Sequence, residues 1–444
     1  MVDDNDSSCR NTWFDSVITP LNACSLETFT PIRNEPPTEE ISDCKISEEE
    51  GDVVIPLIIG CYQLNDQQND TTTTEEESVG IQKSSSRSGE LRLYMISPST
   101  TSLSSSTSIK FGNAHDVQME SGVLDGKWRR RQCKQAIYAS ACASGRIHLH
   151  SLEKNSNNNN SKQSWTLSHL TSSNESDGNA LCLSLAWNDF VNNTTNDNTI
   201  KSEDQIVSSY SNGTVALHKV ATTTINDDES QEDVSIEETH RWKAHTMFGC
   251  PSEVWTCSFL RGNENVALSG ADDMTLKVWD VRQTQRHIHK IGESEFDAGV
   301  TAISSHPSID HVFAVGSYDE YVRIYDYRKM DQPMSKVHVG GGVWRIKWHP
   351  SCYNREAEGD ISHSEKMLVA AMHGGCRVVN VPILEGGDDG DFEILSQFTA
   401  HESMAYGADW ISSDKCEVVS SCSFYDRQAF IWNPNSSEGW IIQK

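Results

Sequence analysis

Short stretches of alternating apolar and polar residues recur along the chain. LRLYM (91–95), IHLHS (147–151), VALHK (215–219), LKVWD (276–280), VRIYD (322–326), CRVVN (376–380) and AFIWN (429–433) are seven copies of one pattern. A period of two is that of a half-buried β-strand. Each copy follows a polar turn, and before each turn lies a second apolar stretch: LIIGCYQL, YASACA, IVSSYS, VALSGA, VFAVGS, MLVAAM and EVVSSCS. In six units a tight turn joins the two, which predicts hairpins; the first unit carries a long insert. A third stretch precedes each pair: CSLETF, GVLDGKW, LCLSLAW, EVWTCSF, GVTAISSHP, GVWRIKWHP and YGADW.

The shortest interval between copies, 46 residues, is close to the ~40–45 residue unit of WD repeats. A unit of a few antiparallel strands cannot bury both faces alone, and radial stacking solves this. The pattern predicts an all-β chain, a seven-bladed WD-repeat β-propeller over 12–440, with blades near 20–96, 120–152, 180–220, 252–282, 298–328, 341–382 and 404–434. Trp279-Asp280 is the one literal Trp-Asp pair, with Tyr325-Asp326 and Trp432-Asn433 as weaker versions. TWFDSVI (12–18) is expected to close the ring beside AFIWN, with the tail EGWIIQK competing. Polar segments 65–88, 97–108, 153–164, 191–204 and 222–238 have the composition of disordered inserts, as has the N-terminus, 1–11.

Charge narrows the function. The net charge is −28, from 64 acidic and 36 basic residues. This argues against nucleic acid, because phosphate contacts need Lys and Arg, and favours a cationic partner or substrate. The 13 cysteines include no C-x-x-C pair, and MVDDNDSSCR has no signal-peptide pattern. Reduced thiols and a cytoplasmic setting are expected. The longest apolar run, VVIPLIIG (53–60), is too short to cross a bilayer, so no membrane partner is expected.

Candidate chemistry gathers on one face, where the hairpin turns meet the loops that open each unit. The turns supply Asp272-Asp273, Tyr318-Asp319-Glu320, His373-Gly374-Gly375 and Tyr425-Asp426-Arg427. The opening loops supply His245, Gly340-Gly341-Gly342 with Trp344 and Arg345, and His401 with Tyr406. Asp273 and His245 fit the repeat's own turn network, and Trp187, Trp348 and Trp410 fit core positions. The three glycines would let something approach the backbone. No G-x-S-x-G, H-E-x-x-H, P-loop or dinucleotide motif occurs, and no cysteine pair has zinc spacing. No metal or cofactor is expected.

GSYDEYVRIYDYRKMDQP, GGGVWRIKWHP, AAMHGG, YGADW and SCSFYDRQAFIW add a resemblance. Weaker matches are IIGCYQL with ELRLYMI, LDGKW, CLSLAW, AHTMFGCPSEVW and SGADDMTLKVWDVR. In these pieces, and in their order from about residue 12, the chain resembles the diphthine methyl ester hydrolase family of WD-repeat proteins, often named diphthine methyltransferase. The resemblance implies hydrolysis of the methyl ester of methylated diphthine, a modified histidine of elongation factor 2, to diphthine and methanol in diphthamide biosynthesis. Ester hydrolysis needs an activated nucleophile and donors for the oxyanion. His373 or His401 is a candidate base, Ser423 or Cys422 a candidate nucleophile, and Arg345 or the glycine-loop amides candidate oxyanion donors. The substrate's trimethylammonium suits aromatic faces. Tyr318, Trp344, Tyr406 and Tyr425 could cage it, with Asp319, Glu320 and Asp426 as counter-charge.

Two rival readings stand beside this one. Trp279-Asp280-Val281-Arg282 resembles the WD-x-R motif of substrate receptors for cullin-type ubiquitin ligases, and Tyr325-Asp326-Tyr327-Arg328 is a weaker copy. A non-catalytic scaffold, binding a ligase adaptor through Trp279, Asp280 and Arg282, is therefore an alternative. A metal-dependent hydrolase is the other, since histidines and carboxylates share the face.

Overall fold

A computed structural model describes residues 13–19, 21–29, 55–64, 87–100, 107–130, 135–155, 164–174, 180–189, 202–224, 232–292, 294–353, 364–382, 392–413 and 416–435. Seven four-stranded antiparallel sheets form the blades of a β-propeller. From the inner strand outwards, blade 1 is Asn22–Thr28, Ile55–Leu64, Arg87–Thr100 and Thr107–Met119. Blade 2 is Val123–Trp128, Ile137–Cys142, Ile147–Asn155 and Ser164–Ser172. Blade 3 is Cys182–Trp187, Ser202–Tyr210, Thr214–Thr224 and Glu232–Lys243, and blade 4 is Thr256–Leu260, Asn263–Ala271, Thr275–Asp280 and His289–Ile291. Blade 5 is Val300–Ser305, Val312–Ser317, Tyr321–Asp326 and Ser335–His338, and blade 6 is Arg345–Trp348, Ser364–Ala370, Cys376–Pro382 and Glu393–Phe398. Blade 7 takes Ala405–Ser413, Cys416–Ser423 and Gln428–Trp432 from the C-terminal part, and its outer strand, Trp13–Ile18, from the N-terminal part. Ile18 pairs with Gln428 and Ser16 with Phe430, so the ring closes as expected for TWFDSVI. The tail EGWIIQK lies outside the described residues.

Burial is deeper in the second strands than in the outer ones. Every residue of Val312–Ser317 is buried, whereas Glu393–Phe398 buries only Phe398. Seven apolar clusters fill the seven junctions between neighbouring blades. One joins Val322, Ile324 and Val339 of blade 5 to Ile346, Trp348 and Val369 of blade 6. Another joins Leu26 and Ile59 of blade 1 to Ile411 and Ile431 of blade 7. At three of the junctions close approach needs glycine in the second strand. A Cβ on Gly60, Gly270 or Gly316 would stand within 3 Å of Val123, Val300 or Val343, the residue that opens the next blade.

Several predicted inserts contain strand residues. Thr222–Thr224 pairs with Glu232–Val234, and Glu232–Lys243 is the outer strand of blade 3. Its acidic composition hides an alternation in which Val234 is buried and Ile236 packs against the same cluster. Ser97–Thr100, at the start of the predicted insert 97–108, likewise pairs with Thr107–Lys110. Glu153–Asn155 and Ser164, and Ser202–Asp204, are also strand residues within 153–164 and 191–204. The segments 1–11 and 65–86, and the rest of the inserts, lie outside the described residues. Among the described residues no helix is long and apolar enough to cross a membrane.

Candidate functional site

Inner strands start, and second strands end, on one face of the ring, so the hairpin turns and opening loops meet there. Two kinds of environment occupy that face. The first belongs to the repeat. In blade 4, His245 bonds Asp273 through Nδ1 at 2.9 Å and the Ser269 hydroxyl through Nε2 at 2.7 Å. Trp279 donates its indole N–H to the same hydroxyl at 2.8 Å. All four are buried. Blade 7 repeats the arrangement. His401 Nε2 meets Ser421 at 2.8 Å, Trp432 donates to Ser421 at 3.2 Å, and Asp426 stands 3.7 Å from His401 Nδ1.

This corrects part of the sequence reading. His401 and Asp426, read as a base and a counter-charge, are the blade 7 counterparts of His245 and Asp273 and tie a loop to a turn. Ser423 is fully buried within the second strand, and burial pushes the Cys422 thiol up to about 12, so neither offers a nucleophile. Asp319 accepts two bonds from the buried Arg323, at 3.0 and 2.8 Å, and Arg323 also reaches Glu295 at 2.7 Å. Asp319 thus neutralises a structural arginine. Glu320 pairs outward with His338 at 2.8 Å. The glycine loop does admit a close approach, but by the chain's own turn: a Cβ on Gly341 would lie 2.1 Å from the Ala371 carbonyl and 2.7 Å from the Gly374 nitrogen.

The second environment is aromatic. Trp255, Tyr318 and Trp344 form a triangle with centroid separations of 5.7, 6.1 and 6.4 Å. Trp344 continues to Tyr406 at 4.8 Å, and Tyr406 to Phe424 at 5.4 Å. Phe424 touches Tyr62 and Tyr425. The triangle and Tyr406 are half-buried, and Tyr425, 60% exposed, forms the rim. Asp272 accepts the Trp255 indole N–H at 2.5 Å. Burial, with Asp272 nearby, pushes the Glu253 carboxyl above the usual carboxylate range. Burial raises the Tyr406 phenol to about 12, so it stays neutral. Aromatic faces backed by carboxylates attract an organic cation, each ring contributing ~0.5–2 kcal/mol.

Of the residues in this cluster, Tyr318, Trp344 and Tyr406 were candidates in the sequence, whereas Trp255, Glu253, Tyr62 and Phe424 were not singled out there. A signal was present. Val254-Trp255, Val343-Trp344 and Ala405-Tyr406 occupy one repeat position, at the head of an inner strand. In blades 1, 2, 3, 5 and 7 the ladder shifts register at that position, as between Val300 and Ala302 or Ala405 and Gly407. The bulge places one residue out of the ladder, and in blade 7 that residue is Tyr406; in blades 4 and 6 the ladder starts one residue later, at Thr256 and Arg345, which leaves Trp255 and Trp344 just ahead of it.

Beneath Trp344 lies a network of buried charge. Arg345 has its guanidinium 5.8 Å from the Trp344 ring and donates to Asp125 at 2.9 Å. Lys127 joins Asp125 to Glu27 at 2.8 and 2.9 Å, and Lys347 bonds Glu27 and lies 3.5 Å from Asp409. Burial works to raise the Asp125 carboxyl, but Arg345 and Lys127 hold it well below the ordinary value. His373 is exposed on the turn after Met372. It makes no hydrogen bond or ion pair among the described residues.

At the other end of the barrel, His306, Cys352 and Glu365 place three buried donor atoms within 4.8 Å of one another. His306 Nδ1 accepts backbone N–H groups from Ile309 at 2.9 Å and Ser308 at 3.2 Å. The ring proton therefore resides on Nε2, which leaves that nitrogen without a lone pair for a metal. Cys352 Sγ donates to Glu365 at 3.0 Å.

Relatives share this architecture. The family model "WD domain, G-beta repeat" matches residues 237–280, which span the His245 loop and blade 4 up to Asp280. "Diphthine methyltransferase homolog" of Dictyostelium discoideum is 31% identical over 338 residues, 73% of this chain and 79% of that one. The chain belongs to the diphthine methyltransferase family. "Diphthine methyltransferase" of Homo sapiens is 31% identical over 292 residues, and there the chain spans 56% of its relative's length. "E3 ubiquitin-protein ligase COP1" of Arabidopsis thaliana is 32% identical over 88 residues, 20% of this chain and 12% of that protein.

Proposed function

We propose that the protein acts in diphthamide biosynthesis by hydrolysing the methyl ester of methylated diphthine on elongation factor 2, yielding diphthine and methanol. The observation that carries this reading is the half-buried triangle Trp255–Tyr318–Trp344 with Asp272 and Glu253 behind it. It suits a quaternary ammonium, and in this substrate the ester sits on the carbon that bears the ammonium. With the cation held there, the ester carbonyl lies near Trp344 and the Arg345 beneath it. Arg345 stabilises the oxyanion. His373, an exposed histidine outside the repeat network on this face, takes a proton from water as water adds to the carbonyl. The tetrahedral intermediate collapses, the carbon–methoxy bond breaks, and the histidinium returns its proton to the leaving methoxide. Glu320 and Tyr425 belong to the rim that meets the protein part of the substrate.

The test is direct. Purified protein is incubated with elongation factor 2 bearing methylated diphthine, and the modified peptide is followed by mass spectrometry. Loss of one methyl group with release of methanol and no added cofactor is the expected result. An unchanged peptide, with folded protein and verified substrate, overturns the reading.

One observation favours a second reading. Arg282 is exposed and held by Asp280 at 2.8 and 2.7 Å, and Arg328 is held by Asp326 in the same way one blade on. Both lie at the end of the ring opposite the aromatic triangle, preset for a protein partner such as a cullin-type ligase adaptor. Co-purification of an adaptor that is lost on Arg282→Ala, without loss of esterase turnover, would add this role to the first.

A further inference from the structure

The second residue of the alternating stretches LRLYM, LKVWD, VRIYD and CRVVN, in the third strands of blades 1, 4, 5 and 6, is a cation, opposite Ile59, Ser269, Val315 and Val369. In three of the four a carboxylate answers it. Arg92 bonds Glu90 and Asp116, each at 2.8 Å. Lys277 lies 3.5 Å from Asp273 and donates to the Ala244 carbonyl. Arg323 is held by Asp319 and Glu295. In blade 6 the turn reads Met372-His373-Gly374-Gly375, with no acid at the position of Asp273 and Asp319.

Arg377 is the cation left over. It is 8% exposed, and its guanidinium makes one hydrogen bond among the described residues, from Nη1 to the Cys376 carbonyl at 3.1 Å. Among the described residues no carboxylate pairs with it, and burial pushes its pKa below the ordinary value. Above it lies Gly340, with φ +78°; even a Cβ there would stay 3.9 Å from Nη2. A buried guanidinium without a counter-ion is costly. Its fork of N–H donors matches a carboxylate in bidentate geometry.

We propose that Arg377, under the Gly340–Gly342 loop and beside the His373 turn, is a binding site for a carboxylate. The site is built where a blade has lost the turn aspartate that its neighbours keep. The carboxylate comes either from a small free acid or from an Asp or Glu side chain of the protein that docks on this face. The second source rests on the proposed function; the existence of the site does not.

The full-length protein is melted at low ionic strength while sodium formate is added, against sodium fluoride at equal ionic strength. Formate should raise the melting temperature of wild type saturably, less so for Arg377→Lys and not at all for Arg377→Met. Arg377→Met, which keeps an apolar stem of similar length, should melt above wild type in formate-free buffer. A wild type indifferent to formate, or an Arg377→Met that responds as wild type does, overturns the site; if the Met variant does not fold, the wild-type and Lys titrations still decide. Binding of elongation factor 2 bearing methylated diphthine distinguishes the sources. A side-chain carboxylate predicts that formate competes and that Arg377→Met weakens binding about tenfold; a free acid predicts that neither changes it. Failure of the proposed esterase would show separately, as absent methanol release with the formate response intact.

Discussion

Blades 4 and 7 differ from blades 5 and 6 in how the opening loop is fastened to the turn. In blades 4 and 7 a histidine crosses from the loop to a serine, and a tryptophan closes the network; the turn aspartate bonds the histidine in blade 4 and stands 3.7 Å from it in blade 7. Blade 5 has dispensed with the histidine and holds its turn through Arg323. Blade 6 has dispensed with the aspartate as well, and fastens glycine loop to glycine turn by close backbone contact. Histidine and carboxylate on this face therefore mean fastening where the network is complete. Where it is not, a histidine such as His373 stands exposed and makes no hydrogen bond or ion pair among the described residues. His401 and His373, alike in sequence reading, fall on opposite sides of that line.

The most damaging way to break the comparison is to cut a complete network. His401→Ala leaves Ser421 and Asp426 without their partner and should cost about 2–3 kcal/mol in denaturant unfolding, with kcat of the folded fraction unchanged. His373→Ala should leave the unfolding curve in place and lower kcat about 100-fold. If His401→Ala were stable but inactive, the division between the two histidines would be wrong.

Next in size, Trp344→Ala or Tyr318→Ala should raise KM about tenfold or more through loss of cation–π contact, with circular dichroism unchanged. Asp319→Ala does not test the cage, because it strips the buried Arg323 of its nearest carboxylate and should act on stability first. A Tyr318→Ala enzyme with unaltered KM would remove the triangle from substrate binding.

A smaller, pH-dependent effect belongs to blade 2, away from both networks. His150 is buried and flanked by His169 and His148 at 5.4 and 6.5 Å. Burial, then those two neighbours, lowers its pKa to about 3, against ~6.5 when unfolded. The depressed value means that the unfolded chain takes up the proton first as pH falls. The stability from keeping His150 neutral is full above pH ~6.5 and is lost as pH drops towards 3, about 2 kcal/mol of it by pH 5. His150→Gln should flatten the unfolding free energy between pH 7 and 5 relative to wild type. Parallel slopes in the two proteins would assign the acid sensitivity elsewhere.

Much of the architecture was legible because strand alternation is a local property. Seven copies of a period-two stretch, each behind a turn, required seven units. The lone Trp279-Asp280 pair and the TWFDSVI segment indicated the repeat and how the ring closes. The outer strand of blade 3 was not legible, because Val234 and Ile236 are embedded among acidic residues in a composition that resembles an insert. The candidate site was legible only in outline. Tyr318, Trp344 and Tyr406 stand out as aromatics at turns and strand heads.

The residues by themselves determined the strands, the number of blades and the face on which aromatic and acidic residues collect, since these follow from periodicity and from antiparallel connection. Only the tertiary structure decided which polar residues are spent. Whether His401 is a fastener, Asp319 a counter-ion, Ser423 buried, Trp255 a wall of the triangle or Arg377 a charge without a partner depends on atoms brought together from different blades. Hydrogen bonds and ion pairs are satisfied in space, and the spacing of residues along the chain carries no record of which partner each one finds.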